Sequence, residues 1–233
     1  MRLEQFTRNR FGWRRVAVRH DAAKLWLVDV DEKSALVSDV TPLSGDEIDR
    51  ANRFLRAEDR ARFMLTRAAL RHLLAEETGA SPDKLAFTLG PFGKPALAGA
   101  EALHFSVSHS GALALIGMSS SSLIGVDIEL MRENIDELAL ARSFFCEQEY
   151  RLLEGLKGAA QLEAFYRIWT CKEAVLKAFG VGITAYLKDF QVELAPAGPS
   201  IRPQRNCFTP ALAHVQVQSV DVPAAYAATL ALA

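Results

Sequence analysis

The stretch LIGVDIEL, residues 123–130, alternates apolar and acidic side chains. Successive strand residues point to opposite faces, so Val126, Ile128 and Leu130 share one face, and Asp127 and Glu129 the other. The rise of a strand then sets the two carboxylates about 7 Å apart. A half-exposed strand gives the same pattern, because one solvated face calls for it. A hard-metal site is the second reading, since Mg²⁺ takes carboxylate oxygens and leaves positions open for substrate phosphates. To separate the two, the rest of the chain must supply a third carboxylate and phosphate-binding groups.

Working outward, LWLVDVDE (25–32) carries a similar pattern, with Asp29 lying 98 residues before Asp127. Each stretch is followed by a short helix and a longer amphipathic one, with apolar residues at three- and four-residue spacing. Three strand-like runs follow in each half: KLAFTL, LHFSVSHS and ALALIGMS, then KDFQVELA, AHVQVQSV and AYAATLALA. That period is too long for a solenoid. It implies a duplicated α+β domain joined near Ser119–Ser122, with residues 24–120 and 121–233 as similar halves. Each half pairs a small, mainly antiparallel sheet with helices, and a cleft between them is a natural ligand site.

The chain has 233 residues, half of them hydrophobic, and a formal net charge of −1. The length suffices for one large or two small cores. The charge balance argues against a broad basic field for nucleic acid. No apolar stretch is long enough to span a membrane. Arg2, Arg8, Arg10, Arg14, Arg15 and Arg19 crowd the first residues without an apolar run after them, so 1–23 read as a flexible basic arm rather than a secretory signal. Cys146, Cys171 and Cys207 are odd in number and lack metal-ligand spacing, which fits reduced thiols in the cytoplasm.

The helical segment WTCKEAVLKAFG (169–180) sets Trp169, Glu173 and Lys177 four residues apart on one face, with Lys172 beside them. Such a Glu–Lys pair also serves ordinary surface helices. FGKP (92–95) presents Lys94 in a turn. In FSVSHSG (105–111), Ser108, His109 and Ser110 end a strand, where they can hold a phosphate or cap a hairpin.

FGKP, FSVSHSG, GVDIE and WTCKEAVLKAFG, in this order, closely resemble the motif set of the 4′-phosphopantetheinyl transferases of the surfactin-synthetase-activating type, over residues 24–233. The resemblance implies two pseudo-twofold-related α+β halves with the active site in the cleft between them. It implies transfer of the phosphopantetheine arm of coenzyme A to a serine of an apo acyl or peptidyl carrier protein, releasing adenosine 3′,5′-bisphosphate. Asp127, Glu129 and Glu173 match the family's metal-binding acids, which would hold Mg²⁺. Glu173 is the candidate base, with Lys177 and His109 on the phosphates. Lys94 and Ser108 match positions that line the nucleotide site, Arg62 one near the 3′-phosphate, and Arg50 is expected beside it. Lys172 joins the coenzyme A set by adjacency to Glu173. Ala61 and Phe63 depart from the His and Thr of some relatives, and Ser106 from an Asn. With the charge balance, the apolar pattern and the cysteines above, the expectation is a cytoplasmic monomer with no nucleic-acid or membrane partner. The rivals are a metal-dependent phosphatase or nuclease admitting water as nucleophile, and a non-catalytic carrier-binding module.

Overall fold

A computed structural model describes residues 12–21, 23–31 and 42–233. The N-terminal half contains strands β1 (Trp13–Val16) and β2 (Ala23–Asp29), helices α1 (Gly45–Ala51) and α2 (Ala57–Thr78), then strands β3 (Phe87–Leu89), β4 (Pro95–Leu97), β5 (His104–Ser110) and β6 (Leu113–Ser119). The C-terminal half runs β7 (Ile124–Leu130), α3 (Glu137–Phe144), α4 (Glu147–Glu154), α5 (Ala159–Phe179), α6 (Ile183–Tyr186), β8 (Phe190–Ala195), β9 (Gly198–Pro203), β10 (Gln216–Ser219) and β11 (Tyr226–Leu232). The architecture is α+β, as the sequence implies. No described helix is long and apolar enough to cross a membrane.

Two antiparallel sheets carry the halves, in the orders β1-β2-β6-β5 and β10-β11-β7. Strand alternation divides each first strand between two cores. Leu25 and Leu27 of β2 meet Val126 and Ile128 of β7 in an apolar layer between the sheets. The opposite face of β2, with Trp26 and Val28, packs against Leu65, Leu70 and Leu73 of α2. Helix α5 covers the outer face of the second sheet, where Ala227 and Ala231 of β11 join its core. Burying a side chain such as Ile128 stabilises by about 1.5–3 kcal/mol, so the inter-sheet layer fixes which face of β7 is left for α5.

Two expectations need correction. Residues 13–16 are not part of a loose arm: they pair with β2, and Trp13 and Val16, which face opposite sides of the strand, are each buried in one of the two cores that flank the sheet, so their burial outweighs the two arginines between them. Residues 1–11 of the expected arm lie outside the described residues. The register of the repeat also differs. Across β2–β6, Ala23 faces Ser119 and Asp29 faces Leu113; across β7–β11, Ile124 faces Leu232 and Leu130 faces Tyr226. Ala23 therefore corresponds to Ile124, an offset of 101 rather than 98. Trp26 and Val28, not Asp29 and Asp31, occupy the positions of Asp127 and Glu129. Burial decides this: shared core faces must superpose, and a shift of three residues would turn them outward.

Candidate active site

One glycine sets the distance between β7 and α5. A Cβ on Gly125 would lie 1.9 Å from the carbonyl oxygen of Ala174 and 2.4 Å from the amide nitrogen of Ala178, so a side chain there would push the helix off the strand. Asp127 and Glu129 follow Gly125 on the same strand face. Glu173 and Lys177, four residues apart on α5, meet them there. Lys177 Nζ donates to Asp127 Oδ1 at 2.6 Å and lies 3.3 Å from Glu173 Oε2. Asp127 is wholly buried, and among the described residues its Oδ2 has no hydrogen-bond partner.

Strand β5 forms the other wall, and here side chains replace a backbone ladder. Ser106, Ser108 and Ser110 share one face by alternation. Ser106 Oγ accepts from the amide of Val126 at 3.1 Å, and Ser110 Oγ accepts from that of Leu130 at 3.1 Å. Ser110 also donates to Glu129 Oε2, and Ser108 to Asp127 Oδ1, each at 2.7 Å. The three hydroxyls thus tie the edge of the N-terminal sheet to β7, Ser106 and Ser110 through its amides and Ser108 and Ser110 through its acids. Ser106 is not among the expected site residues and Ser110 enters only as a phosphate holder or a hairpin cap, although the serine at every second position of FSVSHS signals a common face.

Crowding of acids out of water shapes the electrostatics. Burial, and then the charge of Asp127, push the Glu173 carboxyl up to about 7 against the opposing pull of Lys177. The same two causes raise Glu129, with the Ser110 hydrogen bond opposing them. Burial would lower Lys177, but Asp127 and Glu173 outweigh it and hold the ammonium above its ordinary range. His109, exposed at its outer edge and set in the cleft wall, titrates below its ordinary value, through desolvation first and the charges of Arg62 and Lys177 next.

A cavity of about 370 Å³ opens over this cluster. Ser108, His109, Asp127, Glu129 and Lys177 line it at one end. Arg50, Phe63, Thr66 and Arg67 line it from the N-terminal half, with the Arg50 guanidinium 5.2 Å from the Phe63 ring centre. Thr66 is buried, and its hydroxyl has no partner among the described residues. Nothing in the sequence singled out Thr66 or Arg67, because both sit in an unremarkable amphipathic helix.

The remaining expected residues fall at different depths. Arg62 is turned to the backbone, donating from Nε to Gly111 O at 2.8 Å and pairing with Asp59 at 2.7 Å. Lys94 lines a neighbouring cavity, and its Nζ donates to Ile124 O and Ala178 O at 3.1 and 2.9 Å, clamping the start of β7 to the last turn of α5. Lys172 is a correction. It is fully buried, donating to Leu187 O and Phe190 O, both at 2.7 Å, with Glu149 3.0 Å away. One helical position away from Glu173 is about 100° around the axis, which turns this side chain into the core. As they stand, no three His, Cys, Asp or Glu side chains among the described residues are gathered closely enough to hold a metal ion; the Lys177 ammonium sits between Asp127 and Glu173.

Comparison with known proteins follows the two halves. A family model described as the 4′-phosphopantetheinyl transferase superfamily matches residues 123–231, and one described as 4′-phosphopantetheinyl transferase, N-terminal, matches residues 25–121. The 4′-phosphopantetheinyl transferase HetI of Nostoc is 39% identical over 184 residues, 77% of this chain and 77% of that protein. A Synechocystis relative is 42% identical over 166 residues, covering 70% of this chain and 67% of its own length. The 4′-phosphopantetheinyl transferase Sfp of Bacillus subtilis is 28% identical over 168 residues, 72% of each chain.

Proposed function

The chain belongs to the 4′-phosphopantetheinyl transferases, and we propose that its inter-sheet cleft takes coenzyme A as donor and a serine of an apo carrier protein as acceptor. The observation that carries this reading is the meeting of Asp127, Glu129, Glu173 and Lys177 at the end of a cavity lined by both halves. A phosphoryl transfer needs cations where charge grows on oxygen, and a base near the attacking hydroxyl.

Lys177 is the cation built into the chain. Its ammonium, held by Asp127 and Glu173, can turn to a phosphate oxygen lying over the cavity floor. The carrier serine oxygen forms a bond to the phosphorus that bears pantetheine, and the bond from that phosphorus to the nucleotide phosphate breaks. The nucleotide leaves as adenosine 3′,5′-bisphosphate. Glu173, with a carboxyl poised near 7, takes the serine proton. Ser108 and His109 steady the phosphates, while Arg50 offers positive charge toward the nucleotide's 3′-phosphate, and Arg62, now held by Gly111 O and Asp59, is the second candidate for it. Lys94 contributes through the clamp on β7 and α5 rather than through a nucleotide contact.

The acids suit Mg²⁺. Asp127 Oδ2 is a buried acceptor with no partner among the described residues, and the Glu129 and Glu173 carboxyls beside it are raised by mutual crowding that a divalent cation would relieve. Asp127, Glu129 and Glu173 are the residues that would hold it. When bound, it supplies positive charge against the pyrophosphate.

We place the division between the halves at 24–120 and 121–233, with β1 added to the first, and read the protein as a monomer. A cytoplasmic location fits its three free cysteines. The test is direct. Incubation with coenzyme A, Mg²⁺ and a panel of apo carrier proteins should give carriers heavier by one phosphopantetheine in intact-mass spectra. Hydrolysis of coenzyme A with no carrier gaining mass would move the assignment to a metal-dependent phosphatase.

A further inference from the structure

The hairpin that joins β5 to β6 turns at Gly111 and Ala112, directly after His109 and Ser110. A two-residue hairpin turn favours a positive φ, and Gly111 supplies it at +56°. Three elements hold this turn from outside. Arg62 of α2 donates to Gly111 O at 2.8 Å, and Val30, just past β2, donates its amide to Ala112 O at 2.9 Å. The third contact comes from the other half of the molecule. Tyr226, the first residue of β11, accepts from the Ala112 amide through its hydroxyl at 3.1 Å. That hydroxyl also limits how closely the turn can approach, because a Cβ on Gly111 would lie 2.6 Å from it. The tyrosine is itself fixed. Its backbone pairs with Leu130 at the end of β7, and its ring packs against the apolar layer between the sheets. By the register that relates the halves its counterpart is Leu113, so the shared scaffold does not call for a hydroxyl here.

We propose that Tyr226 is a positioning residue for the transfer. It sets the height of the β5–β6 turn over β7, and through the turn the place of His109 in the cavity wall. The inference rests on the reading that His109 meets the phosphates of coenzyme A. Strands β5 and β7 are edges of separate sheets, so side chains must fix their spacing. Ser106, Ser108 and Ser110 do so on one face of β5. Alternation turns His109 to the opposite face, away from those anchors. Its direction therefore follows the backbone of residues 109–112, whose far end Tyr226 ties to β11. A buried amide that loses its acceptor is costly until it finds another. Without the hydroxyl the turn lifts toward water to satisfy Ala112, and His109 swings with it. Tyr226 touches no substrate in this scheme.

Tyr226→Phe tests it, since the substitution removes the hydroxyl and leaves the ring in its layer. Transfer kinetics of the full chain, with coenzyme A, Mg²⁺ and an apo acyl carrier protein, should show the KM for coenzyme A raised about tenfold, inside the range that a small misplacement of a binding group costs. At saturating coenzyme A, kcat should stay within about twofold, the pattern for lost uniform binding. The melting temperature should fall by only about 2–4 °C, the scale for one hydrogen bond in a chain of this size. A purely structural tyrosine would move the melting temperature and leave the KM alone. In a His109→Ala background, Tyr226→Phe should change the KM by less than about twofold, because the group it positions is gone. An unchanged KM in Tyr226→Phe, or an equal rise with and without His109, would overturn the proposal. If His109→Ala alone left the KM unchanged, the phosphate role of His109 would fail first, and the proposal with it.

Discussion

At the positions where the C-terminal half carries Asp127 and Glu129, the register of the sheets gives the N-terminal half Trp26 and Val28. The same offset of 101, which also relates Arg71 to Lys172, makes His72 and Glu76 the counterparts of Glu173 and Lys177. Trp26 and Val28 are buried under α2, and the His72 ring lies 6.0 Å from that of Trp13. The same strand-under-helix scaffold is thus closed by apolar packing in one half and by acids and an ammonium in the other. A second set of positions does not differ in kind. In each half, a glutamate at the third position of a short helix accepts from the amide of its own N-cap residue, Ser44 for Glu47 and Cys146 for Glu149. It also pairs with a buried base of the long helix, Arg71 or Lys172. That base in turn donates to two carbonyls beyond its own helix: Pro82 and Leu85 for Arg71, Leu187 and Phe190 for Lys172. What both halves keep holds helix to loop; what they do not share is the chemistry.

The largest effect should come from making the C-terminal half resemble the N-terminal one at its acids. Asp127→Ala, or Glu129→Val, which installs the residue type of Val28, should lower transfer by roughly 10³-fold, the scale for losing a group that stabilises developing charge. Both variants should stay folded. Glu129→Val should also melt higher than the unsubstituted chain without Mg²⁺, because the carboxyl it removes is raised by burial and by Asp127. Turnover and melting curves on one preparation test both halves of the comparison. Near-normal turnover would remove Glu129 from the site, and a lower melting temperature would mean its neighbours depend on the charge.

The pins should respond the other way, in stability before chemistry. Lys172→Ala leaves Glu149 buried and unpaired, which costs about 3–5 kcal/mol. Lys172→Arg borrows the residue type of Arg71 and should retain most of the stability, since a guanidinium can serve the same glutamate and carbonyls. Urea unfolding gives the stabilities, and calorimetry the coenzyme A affinity of the folded fraction, which should stay unchanged. Full stability with lost coenzyme A binding in Lys172→Ala would return Lys172 to the ligand set.

Much of this site is legible in sequence because two periodicities fix its faces. Alternation in GVDIE forces the acids onto one side of a strand, and four-residue spacing in KEAVLK aligns Glu173 with Lys177. What is not legible depends on contacts between distant segments. Lys172 is adjacent to Glu173 in sequence, yet only the position of Glu149 and two loop carbonyls decides that it points inward. The Asp29–Asp127 match rests on similar letters, whereas the true register follows from Leu25 and Leu27 facing Val126 and Ile128 across the sheets. The Lys94 ammonium in a glycine–proline turn looks free, because the carbonyls it bonds come from residues 124 and 178.

The smallest effect, and the finest test of the difference between the halves, is a titration. Without Mg²⁺, Glu173 is raised from an ordinary 4.5 to about 7 by burial and by Asp127. Its counterpart position holds His72, a base where Glu173 is an acid. A carboxyl with a raised folded pKa binds more protons folded than unfolded, so between those two values stability falls as pH rises. Above about 7 the loss is complete and the curve flattens. A cation that needs the carboxylate competes with that proton, so Mg²⁺ affinity should climb between pH 6 and 7 and level off near 8. Each competing proton adds at most about tenfold per pH unit, so Glu173 accounts for up to that much and Glu129, raised by the same causes, steepens the climb further. Saturating Mg²⁺ should in turn flatten the metal-free loss of stability, and Glu173→Gln should reduce both slopes to the share that Glu129 contributes. Calorimetry at four pH values and melting curves with and without Mg²⁺ measure them. An affinity that is flat from pH 6 to 8 would take Glu173 out of the metal's ligands and leave it as the base alone.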